Sequence, residues 1–178
     1  TPYWVLGGSL QTGAWAGELA PRDADPVSRS ILGFLLGMEE MARDALILLP
    51  IVSDSTRKLA YLLRREGLNV RTLDIPPVKD ESAALKYERQ LELCVEAISA
   101  HTRKRFTRRA LRNAASLVAQ AHDELRRFLR LTEKRPTLLS APWRMLICFS
   151  YYCAHDLPQW TELLARLNDN VEASHTRR

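Results

Sequence analysis

The sequence has no apolar run near the roughly 18 residues a membrane-spanning helix needs: Leu46 to Val52 is short and bounded by Asp44 and Asp54. Thr1 to Leu6 has no basic stretch ahead of an apolar one, so no secretory leader is read there and the cytoplasm is the expected compartment. Cysteine is scarce and odd in number. Cys94, Cys148 and Cys153 each fall in a segment read below as helix, which excludes a disulfide framework. Cys153 lies five positions after Cys148, a poor spacing for two ligands on one helix face, so all three are read as reduced core cysteines. Glycines are few: Gly7 and Gly8 lack the dinucleotide-loop pattern, and neither GxxxxGK[ST] nor HExxH occurs. Four scattered histidines provide no zinc site. Ser53 with Asp54 has no flanking glycine elbow or histidine partner, which excludes a hydrolase nucleophile.

What is present describes an ordinary globular chain. Its 178 residues suit one core, and the 46% hydrophobic and 26% charged fractions argue against disorder. The net charge of +5 is local. His101 to Arg135 holds eleven Lys or Arg against three acids, leaving the remainder slightly acidic. Such a block is read first as a solvated helix face. The alternative is a small nucleic-acid-binding module using Arg103 to Arg112, with only Phe106 interleaved for stacking.

Along the chain, PYWVLGGSLQTGAWAGE (residues 2–18) reads as a short helix and then a strand, because small and apolar residues alternate up to Glu18. Ser28 caps a helix carrying Ile31, Leu32, Leu35 and Leu36, and Gly37 ends it. The apolar run Ala45 to Val52 suits a strand covered on both faces. Ser53, Asp54, Ser55 and Thr56 then cap a helix with Leu59, Leu62 and Leu63 on one face, closed by Gly67. Leu68 to Ile75 is a third predicted strand, stopped by Pro76 and Pro77. Strands alternating with helices predict an α/β fold with a short parallel Rossmann-like sheet, whose ligands sit beyond the carboxyl ends of the strands. That places the expected substrate contacts on Ser53, Asp54 and Ser55. No catalytic residue is assigned.

The second half reads as helices. Ser82 to Ala100 carries Tyr87, Leu91, Cys94, Val95 and Ile98 on one stripe. Thr107 caps a longer helix with Leu111, Ala115, Val118, His122, Leu125 and Leu129 on another. His122 is expected to be a core histidine. Pro136 breaks that helix, Pro142 opens the next through Tyr152, and Pro158 opens the last, with Trp160, Leu163, Leu164 and Leu167 inward and a frayed tail beyond Asn168. The expected organisation is an α/β unit over 1–80 with a helical region over 81–178 packing on it as one compact domain.

Several strings carry a resemblance. DALILLPIVSDSTRKLAYLLRREGLNVRTLDIPP is similar to the segment of the 2-hydroxyglutaryl-CoA dehydratase D-component family in which a strand ends in proline and a Cys-Asp pair, followed by a strand ending in leucine, aspartate and proline. AALKYERQLELCVEAI and FTRRALRNAASLVAQAHDELRRFLRL resemble that family's next two helices. PYWVLGGSLQTGAWAGE and SRSILGFLLG resemble its opening. Taken in order, they make the chain resemble subunits of the 2-hydroxyacyl-CoA dehydratases and benzoyl-CoA reductases over nearly its whole length. The resemblance implies a family of chains about twice as long, working as heterodimers or larger assemblies. It also implies an iron–sulfur cluster held by cysteines, which passes an electron to an acyl-CoA thioester after ATP-driven activation by a partner.

The departures matter more. Ser53 stands where the family has the cysteine of its Cys-Asp pair, with Asp54 retained, and Pro26 or Val27 stands where it has an earlier cysteine. Hydroxyl, valine and proline are poor or null ligands for iron. The expectation is therefore a half-length, cluster-less subunit or paralogue that binds no cofactor itself and scaffolds a homologous cluster-bearing partner, with the iron–sulfur cluster in that partner. An alternative keeps it as an enzyme component supplying substrate contacts from Ser53, Asp54 and Ser55 to an acyl-CoA. Membrane association is not expected.

Overall fold

The computed structural model describes every residue except 1, 2, 8, 18, 22, 135–137, 177 and 178, and omits the side chains of 39 and 174–176. It separates into two compact units: Val5–Phe106, and Thr107–Arg178 together with Thr1–Trp4.

The first unit opens with helices. α1 (Leu10–Trp15) occupies the stretch in which a strand was expected, and the alternation that suggested a strand has a packing cause. Thr12 and Ala16 are small because α1 crosses α2 (Pro26–Gly37) at close range, with their backbone against Gly33. A side chain on Gly33 would lie 2.8 Å from the Thr12 carbonyl carbon and closer still to its oxygen. Ser30 ties the crossing by accepting the Ser9 N–H at 3.0 Å and meeting the Thr12 hydroxyl at 2.8 Å. α2 is capped by Asp25 and not by Ser28: the Asp25 carboxylate accepts the Ser28 N–H at 2.8 Å, and Pro26 fills the first turn, where its missing N–H costs nothing. Gly37 ends the helix as expected. A short α3 (Glu39–Arg43), not anticipated, follows.

β1 (Ile47–Ile51) and β2 (Val70–Asp74) then pair in parallel, in register from Ile47 opposite Val70 to Ile51 opposite Asp74. Among the described residues the sheet has these two strands, so the parallel pairing is as expected while the sheet is one strand shorter. α4 (Asp54–Arg65) joins them and starts earlier than the apolar stripe implied, directly after Ser53. Its C-terminus closes on Gly67 at φ 80°, with Gly67 N–H donating to Arg64 O and Leu68 N–H to Leu63 O, a Schellman motif that glycine alone enters without strain. Leu59 and Leu63 on α4 meet Leu32 and Leu35 on α2 and Ala16, Ala20, Ala42 and Leu68 to form the core of this unit. Each such leucine contributes about 1.5–3 kcal/mol on burial. α5 (Glu81–Thr102), capped by Asp80, packs beside β2 and buries Ala83 and Cys94.

The second unit is helical: α6 (Arg108–Lys134), α7 (Ala141–Cys153) and α8 (Leu157–Thr176). Thr107 accepts the Ala110 N–H, as its capping role requires. The expected break at Pro136 lies outside the described residues. α6 and α8 pack through the C-terminal half of α6, where Ala121, Phe128 and Thr132 are buried. The tail is not frayed after Asn168. Asn168 is fully buried and donates to the Glu124 carbonyl (3.0 Å) and carboxylate (2.8 Å), and Arg127 reaches Asp169 (2.7 Å) and Glu172 (2.6 Å), so α8 continues for two further turns. Leu164 points inward as expected, but Leu163 is exposed. His122 is half-buried, its ring 5.2 Å from that of Tyr151, which in turn meets Trp160 at 5.5 Å.

Candidate functional site

The strand-end turn is built by a mismatch of hydrogen-bond demand. β1 leaves the sheet at Ile51, and the first N–H groups of α4 have no carbonyl one turn back to receive them. Ser53, held extended, accepts the Thr56 N–H on its hydroxyl at 3.3 Å, while Thr56 Oγ1 accepts the Ser53 N–H at 3.1 Å and the Val52 N–H at 3.2 Å. Thr56 also donates its hydroxyl proton to the Ser53 carbonyl at 2.8 Å. This reciprocal capping box uses the Ser53 side chain for structure. Asp54 lies exposed in the first turn, where a carboxylate is favoured by the positive end of the helix dipole, and Ser55 is half-buried beside it.

The sheet register adds a residue that the sequence reading did not assign to the site. Asp74 ends β2 opposite Ile51, so its carboxylate stands at the same edge as the Ser53–Ser55 turn, and Arg57 of α4 reaches it at 3.8 Å. Both partners are more than half exposed, so that pair is loose and contributes little to stability. The signal was the leucine, aspartate and proline pattern at the end of the second strand, read as a family word and not as a ligand. Ser53, Asp54, Ser55 and Asp74 thus share one edge. It offers the Ser55 hydroxyl and the Asp54 and Asp74 carboxylates, oxygens suited to hydrogen-bond donors of a ligand and not to soft metals.

An iron–sulfur cluster does not fit the residues present. Ser53 supplies a hydroxyl oxygen already engaged in capping, Pro26 is the first residue of α2, and Val27 carries no donor. Cys94 is buried within α5. Cys148 and Cys153 belong to α7, about 140° apart around the helix axis, so they do not present a shared ligand face. Burial pushes the Cys148 thiol up, against a smaller opposing pull from Arg144. Among the described residues no group of three or more His, Cys, Asp or Glu is placed to hold a metal ion, and no helix is long and apolar enough to cross a membrane.

Compared with known proteins, the sequence matches the family model of the 2-hydroxyglutaryl-CoA dehydratase D-component over residues 1–178. No curated protein matches it.

Proposed function

The chain belongs to the 2-hydroxyglutaryl-CoA dehydratase D-component family, and from that premise we propose that it is a cluster-less member supporting a homologous, cluster-bearing subunit that acts on an acyl-CoA. The observation that carries the reading is the capping box. At the position matching a cluster cysteine, the chain has a serine whose hydroxyl completes the first turn of α4. The frame of the strand-end site is kept while the iron ligand has become a helix cap. On this reading β1, α4 and β2 are the opening of a Rossmann-like sheet, and the role needs the apolar framework and not the thiolates.

A second reading has one observation in its favour. Asp54, Ser55 and Asp74 remain exposed or half-exposed at the carboxyl edge of a parallel sheet, where ligands of such sheets bind, so the chain can contribute polar contacts to an acyl-CoA held mainly by its partner. Co-expression with a cysteine-bearing homologue from the same source tests both. Recovery of a stable complex whose iron resides in the homologue supports the proposal. Acyl-CoA affinity that falls several-fold in the complex on Asp54→Asn or Asp74→Asn selects the second reading. Failure of the two chains to associate at micromolar concentrations overturns both.

A further inference from the structure

From Ala97 to His122 the sequence contains no acid, and every residue from His101 to Gln120 is exposed. Within its own unit the first half of α6 is therefore uncovered, although it is amphipathic. Leu111, Ala114, Ala115, Leu117 and Val118 lie on one side of the axis, and Arg108, Arg109 and Arg112 on the other. The apolar stripe that packs on α8 in the second half of the helix continues into the first half, uncovered within that unit. Leu111 is 52% exposed, where the core leucine Leu32 is 1% exposed.

The same chain carries a surface of the opposite character. On α5, Glu81, Glu88, Glu92 and Glu96 line one exposed face, with Leu85 among them at 63% exposure. Glu92 already holds Arg89 at 2.7 Å, and Glu96 adds to the field that raises that guanidinium's affinity for its proton. The negative potential of the face thus exceeds what Arg89 neutralises. One surface is apolar with a cationic flank, the other anionic with an apolar centre, and each is one helix wide.

We propose that the first half of α6 in one copy docks on the acidic face of α5 in a second copy, so that the chain self-associates. Three arginines find the glutamates, and Leu111 and Val118 find Leu85. Each copy carries both surfaces. Between Leu111 and Val118 the stripe carries no Trp or Phe, the anchors of an interfacial helix, which favours this occupant over a lipid surface. It also favours a helix over nucleic acid, which needs no apolar stripe. The inference does not rest on the acyl-CoA reading and survives its failure.

A charge-swap experiment on the full chain tests it. Sedimentation velocity from 1 to 200 μM should show self-association that weakens at least tenfold between 50 and 500 mM salt. Arg109→Glu with Arg112→Glu should abolish it, as should Glu88→Arg with Glu92→Arg in a separate chain, each folded by circular dichroism. Mixing the two variants should restore a complex. A monomeric wild type overturns the proposal, as does association indifferent to both swaps or a mixture that stays monomeric. Anionic vesicles and a generic DNA duplex form the control arm. Tight binding of either by a monomeric chain, lost with Arg109→Glu and Arg112→Glu, would assign the helix to that ligand instead.

Discussion

Gly33→Ala and Gly13→Ala make opposite demands on the same helix crossing. At Gly33 a Cβ would fall 2.8 Å from the Thr12 carbonyl carbon and 3.2 Å from the Ala16 nitrogen, both backbone, so neither can swing aside. α1 would have to lift from α2. That movement strains or breaks the two contacts of Ser30 with Ser9 and Thr12, worth about 1 kcal/mol each, and adds an overpacking cost of about 1–3 kcal/mol. The better helix propensity of alanine returns about 1 kcal/mol, for a net loss of about 2–4 kcal/mol. At Gly13 an added Cβ meets nothing within 4 Å, so the propensity gain stands alone and the substitution should be neutral to stabilising by up to about 1 kcal/mol. Urea denaturation followed by circular dichroism reads both, as shifts of the midpoint in opposite directions at constant slope. A Gly33→Ala protein as stable as wild type, or a Gly13→Ala protein as damaged as Gly33→Ala, would refute the close crossing.

Three further outcomes follow from individual hydrogen bonds. Ser53→Ala should cost about 1 kcal/mol of thermal stability by removing the α4 cap, whereas Ser55→Ala should fall within about 0.5 kcal/mol, so equal losses would remove the structural role assigned to Ser53. Asn168→Ala should cost about 2–3 kcal/mol in denaturant titrations, since it leaves a cavity and strips Glu124 of two contacts at a fully buried position. Arg127 holds the Glu172 carboxyl below its ordinary 4.5, so that interaction is present at neutral pH and is lost as pH falls below about 4.5 through the folded-state value. Between pH 7 and 3 the Arg127→Ala variant should therefore lose less stability than wild type. Parallel pH–stability curves would contradict the assignment.

Where the sequence could be read, the cause was local. Ala45 to Val52 and Leu68 to Ile75 were recognisable as strands because an apolar run or alternation ended at capping residues or prolines, and the observed strands lie within these bounds. α4 was legible from Leu59 and Leu63 and from Gly67. Elsewhere a partner distant in sequence decided the outcome. Thr12 to Ala16 alternates as a strand does, but Thr12 and Ala16 lie against Gly33 some twenty positions away. The polar tail after Asn168 is helical because Glu124 and Arg127, on α6, hold it. The site divides the same way: Ser53 announced itself as a cap, whereas Asp74 reaches the same edge only through the strand register.

The claim that the strand-end turn has exchanged a metal ligand for a helix cap is tested most directly by anaerobic reconstitution of the full chain with iron and sulfide, followed by iron analysis and visible absorption. The account expects no iron retained after gel filtration and no thiolate-to-iron absorption, with or without the Ser53→Ala substitution. Stoichiometric, stable cluster uptake by the wild-type chain would contradict it.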